Sequence, residues 1–204
     1  MQGRYDAALK QLEGAKSGGA APADVENLKG LAHLLAGDAS AALANFDRAL
    51  PLPEARLNRA IALLRLGQNA KAAAELEKIA NDEHSPLRAT ASYHQGIALD
   101  RLGRGAEAEA ALNRALALDP SLDAALLYAG FLRERRGDMQ AAGRAYFDYL
   151  KKHPDSIIAK LRFGITAHLA GRIDVAKTYL QQVIDAAPQS PEAAEARKFL
   201  VMWE

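Results

Sequence analysis

The side chains able to serve as nucleophile, general base or metal ligand are few and scattered. Cysteine is absent, which removes disulfides, thiolate metal sites and thiol nucleophiles and leaves the redox compartment undetermined. The five histidines, His33, His84, His94, His153 and His168, sit in different repeats or connections and never take the spacing that puts two ligands on one helix face. His84 and His153 fall in connections, and His33 and His168 read as half-exposed helix residues. A glycine-rich phosphate loop needs a strand before it, whereas GRGAEA at residues 103–108 follows one helix and opens another, so it is a turn. RERRGD at 133–138 is the densest basic cluster and could meet an acidic partner, but Glu134 and Asp138 within it make it a solvated helix end. No catalytic residue, metal ligand or cofactor-binding residue is assigned.

Composition narrows the field further. The chain has 204 residues, half of them hydrophobic, enough to bury a continuous core. Its 26 basic and 25 acidic residues give a net charge of +1 and no block of one sign, so nucleic acid is not an expected partner. Arg4, Asp6 and Lys10 interrupt any apolar run at the N-terminus, and no later segment approaches membrane-spanning length. A soluble chain without membrane insertion is expected.

The elements that must position any binding residues announce themselves by repetition. Turn glycines Gly3, Gly37, Gly67, Gly103, Gly137 and Gly171 are separated by 34, 30, 36, 34 and 34 residues. Five residues after each stands an alanine: Ala8, Ala42, Ala72, Ala108, Ala142 and Ala176. Nine after stand the bulky Leu12, Phe46, Leu76, Leu112, Tyr146 and Leu180, and seven before stand Gly30, Ala60, Gly96, Gly130 and Gly164. Small residues let two helices approach while a bulky neighbour fills the gap beside them, so each period predicts a helical hairpin. The glycine ends the first helix in a left-handed conformation, and Asp38 or Asp138 directly after it can cap the second. Pro120, Pro154 and Pro188, each 17 residues past a turn glycine, punctuate the repeat ends.

This 34-residue pattern of G, G, A, F, A and P resembles the tetratricopeptide repeat over nearly the whole chain, with Gly96, Gly103, Ala108, Leu112, Ala115 and Pro120 as its best copy. The resemblance implies an all-α fold, an α-solenoid wound as a right-handed superhelix, forming a single domain. Its parts are a half repeat and linker at 1–22, five hairpins at 23–52, 53–86, 87–120, 121–154 and 155–188, and a C-terminal capping helix at 189–204. Spacings of 30 and then 36 predict local irregularity between residues 51 and 86. Tyr149 stands where Ala15, Ala49 and Ala115 are small, so a local widening is expected there.

The ends carry their own expectations. Ser190 as N-cap, Pro191 in the first turn and an apolar side made of Phe199, Leu200 and Trp203 predict a helix that closes the C-terminal face of the array. Gly3 in register with Gly37 makes residues 4–16 the second helix of a repeat whose first helix is missing, so the chain reads as starting inside a longer protein. Tyr5, Leu9 and Leu12 then lack their natural partner, and homo-oligomerisation through this open end, or its fraying, is expected. SGGAAPAD reads as a flexible connection.

In the family that the repeat resembles, the first helix of each hairpin lines the concave face, at places ten, six and three before the turn glycine. Ten before stand Asn27, Leu57, Tyr93, Leu127 and Leu161, and six before stand Leu31, Ile61, Ile97, Phe131 and Ile165. Three before stand Leu34, Leu64, Asp100, Glu134 and His168, flanked by Arg65, Arg101 and Arg135. A partner-binding groove is therefore expected at Tyr93, Ile97, Arg101, Leu127, Phe131, Arg135, Leu161, Ile165 and His168, an apolar floor with a charged rim suited to an amphipathic helix or extended segment. The competing expectation is that these residues supply the core. Glu26, Lys29, Arg56, Arg59, Ser92 and Gln95 occupy the places the family fills with large buried side chains. The family's carboxylate clamp finds only Asn58 among Asn27, Leu31, Asn58, Thr90 and His94, and an asparagine ladder is missing, so capture of an acidic C-terminus is disfavoured.

The resulting expectation is a non-enzymatic adaptor that binds a protein or peptide, similar to bacterial-type repeat proteins serving pilus, secretion or other cell-envelope assembly. Two alternatives stay open: a regulatory or substrate-recruiting domain of a larger enzyme, and a self-assembling structural scaffold. The compartment follows from the same question, periplasm or envelope for an excised fragment and cytoplasm otherwise.

Overall fold

A computed structural model of the chain describes residues 2–17 and 19–203. Among them are twelve helices and no strand, so the chain is an all-α helical-repeat solenoid. It divides into two compact units, Met1–Asp119 and Pro120–Glu204, where the periodicity alone suggested one uninterrupted array.

The first unit contains α1 (Gln2–Ser17), α2 (Pro22–Leu35), α3 (Ala39–Ala49), α4 (Pro53–Arg65), α5 (Asn69–Asn81), α6 (Arg88–Arg101) and α7 (Gly105–Leu118). Each helix packs on the next, and the first helices of successive hairpins, α2, α4 and α6, also touch. The second unit contains α8 (Asp123–Arg135), α9 (Met139–Lys152), α10 (Ile157–Leu169), α11 (Ile173–Ala186) and α12 (Pro191–Met202), again packed in order, with α10 also touching α12.

The hairpin chemistry is local. Gly37, Gly67, Gly103, Gly137 and Gly171 all have positive φ, between 73° and 89°. The residue after each donates its backbone N–H to the carbonyl five residues back, as from Asp38 to His33 at 2.9 Å. That closes the left-handed helix end, where only glycine is free of a Cβ penalty. Asp38 and Asp138 then cap the second helices, their Oδ1 atoms accepting from Ala41 and Ala141 N–H at 2.9 Å. Gly3 departs from this series. It lies within α1 rather than in a turn, because glycine type alone does not distinguish the two settings. The connection after α1 includes Gly18, which lies outside the described residues, and Gly19 at φ 94°.

The repeated alanines and bulky residues are the interior. Ala42, Ala72, Ala108, Ala142 and Ala176 are fully buried, as are Phe46, Leu76, Leu112, Tyr146 and Leu180. A Cβ added at Gly96 would fall 2.8 Å from Leu112, and one at Gly130 would fall 2.5 Å from the Tyr146 ring. The glycine therefore sets how close the helices come, and the bulky residue fixes their register. Tyr149 is half-buried and its ring lies on His153 with centroids 4.5 Å apart, whereas its counterparts Ala49 and Ala115 are fully buried.

Polar residues at interior places of the first unit are accommodated by pairing. Glu26 accepts from the Arg48 guanidinium at 2.7 Å, and Arg59 bridges Asp47 and Glu75. The buried core there is made by the apolar neighbours Leu57, Leu63 and Leu64. The shortened and lengthened connections flank this region, at residues 50–52 and 82–87, the latter folded by Asp82 accepting from His84 N–H at 3.1 Å.

Candidate interaction surfaces

In the first unit the stripe runs over α2, α4 and α6. Asn58 Nδ2 donates to Asn27 Oδ1 at 3.1 Å, tying α4 to α2. Leu31 and Ile61 are half-buried beside clusters centred on Phe46 and Leu76. On α6, Tyr93 and Ile97 are half-buried and Arg101 is exposed, so these three stand together along one helix. Arg101 Nη1 donates to the Leu64 carbonyl at 2.8 Å, so its guanidinium reaches the C-terminal end of α4, where carbonyls lack helical partners. The Tyr93 ring leans on His94 with centroids 4.7 Å apart, and burial raises its hydroxyl above the ordinary tyrosine range. Burial, with a smaller contribution from nearby Arg65, lowers the His94 imidazole to about 4. Both rings are thus uncharged near neutral pH, consistent with an apolar contact surface.

In the second unit Leu127 and Phe131 on α8 are half-buried against the cluster of Ala142, Tyr146, Leu150, Ala159 and Phe163. The Phe131 and Tyr146 rings meet edge to face at 5.6 Å. Tyr146 donates its hydroxyl proton to Glu134 Oε2 at 2.7 Å, and Glu134 in turn faces Arg162 at 3.4 Å, which also lies 3.6 Å from Glu195. Burial, then the bond to Glu134, pushes the Tyr146 hydroxyl far above its ordinary range, so it is a permanent donor. This chain of polar contacts links α9, α8, α10 and α12. Arg135 is exposed at the end of α8.

Three residues of the expected groove stand elsewhere. Leu161 and Ile165 are 0% and 4% exposed, in a core cluster with Leu180, Val183 and Ala196. Phe199, Leu200 and Trp203 of the C-terminal segment pack against that cluster. His168 is half-buried under the Trp203 indole, with rings parallel to 2° and centroids 3.4 Å apart. The apolar side of this C-terminal segment packs on the very positions also assigned to the groove. Tyr93, Ile97 and Arg101 belong to one unit, and Leu127, Phe131 and Arg135 to the other.

Two features escaped the pattern of glycines and alanines. Val25, Ala55, Ala91, Ala125 and Ala159, twelve places before each turn glycine, are all buried, and Ala193 at the same register on α12 is fully buried too. Alanine at every one of these places but Val25 was the available signal, and it marks α12 as packing like the first helix of a further hairpin. Arg162, which joins Glu134 to Glu195, had no such signal, since its counterparts Asn58, His94 and Tyr128 are of other types.

Among the described residues no three His, Asp or Glu side chains gather as a metal-ligand set. None of the described helices is long and apolar enough to cross a membrane.

Comparison with known proteins follows this geometry. Profiles for the family described as tetratricopeptide repeat match residues 57–123, 101–157 and 159–190, together more than half of the chain. No curated protein matches. Among solved structures, PilW, described as a widely conserved type IV pilus biogenesis factor, is 22% identical, with a TM-score of 0.85 over 98% of this chain and 93% of that one. PilF of Pseudomonas aeruginosa is 17% identical, with a TM-score of 0.80 over 97% of this chain and 90% of that one. YrrB, described as having an unusual peptide-binding site, is 20% identical, with a TM-score of 0.66 over 94% of this chain and 100% of that one. These likenesses concern the fold.

Proposed function

Because the chain belongs to the tetratricopeptide repeat family, a family of protein-interaction scaffolds, we propose that it holds a partner protein on the inner stripe of its first helices, in the assembly of envelope machinery such as a pilus. The observation that carries this is the half-buried apolar stripe of Tyr93 and Ile97 with Arg101 in one unit, and of Leu127 and Phe131 with Arg135 in the other. Half-buried apolar side chains beside exposed guanidinium groups suit a partner segment with an apolar face and acidic flanks. No catalytic role is assigned. The pilus context is supported by the near full-length likeness to PilW and PilF, and on this reading the chain works in the cell envelope.

A photo-crosslinking amino acid at Ile97, Arg101, Leu127 or Arg135, expressed in the native host, is expected to capture one partner, identified by mass. The same group at Lys71 or Gln182, both exposed off the stripe, is expected to capture none. Crosslinks from Lys71 and Gln182 with none from the stripe would dispose of the inner surface. A partner unrelated to envelope assembly would dispose of the pilus context alone. For that partner Ile97→Asp should weaken binding at least tenfold, or ~1.4 kcal/mol.

Self-association is a second reading, favoured by an apolar groove of about 730 Å³ between α1 and α2, lined by Tyr5, Leu12, Leu28, Leu31 and Leu35. Leu28 and Leu35 are 48% and 72% exposed there. If two copies join by this face, sedimentation should show a concentration-dependent dimer that Leu35→Glu abolishes. A sedimentation coefficient independent of concentration in the parent chain would remove this reading.

A further inference from the structure

A cleft of about 320 Å³ lies between α9 and α10 in the second unit. Its α10 residues Phe163 and Ala167 follow Leu161 and Ile165 by two places, about 200° around the helix, so the cleft opens on the side away from the inner stripe. Phe147, 43% exposed, forms one wall, with its ring 5.6 Å from that of Phe163, which in turn meets Tyr179 edge to face at 4.7 Å. Arg144 and Arg172 stand at the rim, both exposed, and neither has an ion-pair partner among the described residues. No Asp or Glu lines the cleft. Lys151 lies 4.9 Å from the Phe147 ring centroid but is already paired with Asp148 at 2.7 Å.

The α9 residues of this cleft, Gly143, Arg144 and Phe147, are peculiar to one hairpin. At the place of Phe147 the other repeats carry Asp47, Glu77, Asn113 and Gln181, the ordinary solvated choices. At the place of Arg144 they carry Ala44, Ala74, Ala110 and Thr178. Gly143 replaces Leu43, Ala73, Glu109 and Lys177, and a Cβ there would meet only Thr166, its Oγ1 at 3.5 Å. Packing therefore does not require this glycine, unlike Gly130, and its effect is to leave the cleft open. An exposed ring, a missing side chain and two unpaired guanidinium groups converge on one spot that the repeat architecture does not need.

We propose that this cleft is a second docking site, for a segment of a protein partner bearing one aromatic or large aliphatic side chain flanked by carboxylates. The ring lies in the cleft against the exposed Phe147 side chain, where offset or edge-to-face contact is favourable. The carboxylates pair with Arg144 and Arg172, whose planar forks match them two bonds at a time. The volume, at the low end for a binding pocket, admits a single large side chain rather than a folded surface. The charge complementarity selects an acidic segment over a basic or neutral one.

The test is an amide-resolved NMR titration of the full chain with the acetylated and amidated peptide Glu-Asp-Phe-Asp-Glu. Shifts are expected at Gly143, Phe147, Thr166 and Arg172, weakening as salt rises. The counterparts Lys-Lys-Phe-Lys-Lys and Glu-Asp-Ala-Asp-Glu should leave these amides unmoved. Arg144→Glu with Arg172→Glu should lower affinity roughly tenfold or more, since two exposed pairs are reversed. Gly143→Leu should block the cleft without a charge change, and its thermal unfolding should be unchanged or raised, because leucine is the better helix former. No shift with the parent chain, equal shifts with either counterpart peptide, or undiminished shifts in the Gly143→Leu variant would overturn the proposal. Shifts that appear on raising protein concentration without peptide would assign the cleft to a second copy and overturn it equally. Shifts confined to Ile97 or Leu127 would leave the inner stripe standing and dispose of this cleft.

Discussion

Ile165→Asp is expected to lower the unfolding free energy by about 3–5 kcal/mol and to release the C-terminal helix. The side chain is 4% exposed within the cluster of Leu161, Leu180, Val183 and Ala196, and Phe199, Leu200 and Trp203 lie over it. A carboxylate placed there loses its hydration and gains no cation, since Arg162, the guanidinium nearest in sequence, already faces Glu134 and Glu195. The alternatives are a protonated acid in an apolar site or separation of α12 from α10 and α11, and both cost stability. Urea unfolding followed by circular dichroism gives the magnitude, and hydrogen exchange over 191–202 reports the release. A variant within about 0.5 kcal/mol of the parent would mean that Ile165 is not covered. The experiment also separates two roles for one stripe, because Ile97→Asp alters a half-buried residue and should lose binding with a much smaller loss of stability.

Gly130→Val should cost about 3 kcal/mol, the upper part of the range for overpacking a filled core. The first added carbon would lie 2.5 Å from the Tyr146 ring. That ring cannot yield easily: Tyr146 is fully buried, its hydroxyl is held by Glu134 at 2.7 Å, and the Phe131 ring meets it with centroids 5.6 Å apart. Movement must therefore come from the separation of α8 and α9, which would also disturb Leu127 and Phe131 on the proposed binding stripe. Thermal or urea unfolding measures the loss, and Gly143→Ala on the neighbouring helix is the matched control. There the added carbon meets Thr166 at ordinary contact distance, so relief of the helical glycine should raise stability by about 0.5–1 kcal/mol. Equal changes at the two glycines would show that helix propensity, and not close approach, governs both.

Much of the architecture was legible before any coordinates. The turn glycines, the alanine five places on and the bulky residue nine places on identified each hairpin from Gly37 to Pro188, and the helices fall where those spacings put them. Capping by Asp38, Asp138 and Ser190 was legible for the same reason, since a short polar side chain beside a helix start has one nearby set of N–H groups to accept from. The proposed binding stripe was only half legible. Helical spacing says which residues share a face, but not what lies across from that face. Leu127 and Leu161 occupy the same register, and only the second is fully buried, because α12 follows α10 and α11 and brings its apolar side down on it.

Sequence by itself determined the repeat, the hairpin, the turn conformations and the small-against-large packing within each hairpin, because these are interactions among residues a few turns apart and recur in each copy. Tertiary structure decided which apolar positions remain open, where Arg101 reaches, that Glu134 joins Tyr146 to Arg162, and that Phe147 borders a cleft with two unpaired arginines. Those outcomes depend on contacts between successive hairpins and on a terminal helix that no period describes. Exposure is a property of what the rest of the chain leaves uncovered, and a residue's own type and spacing do not contain it.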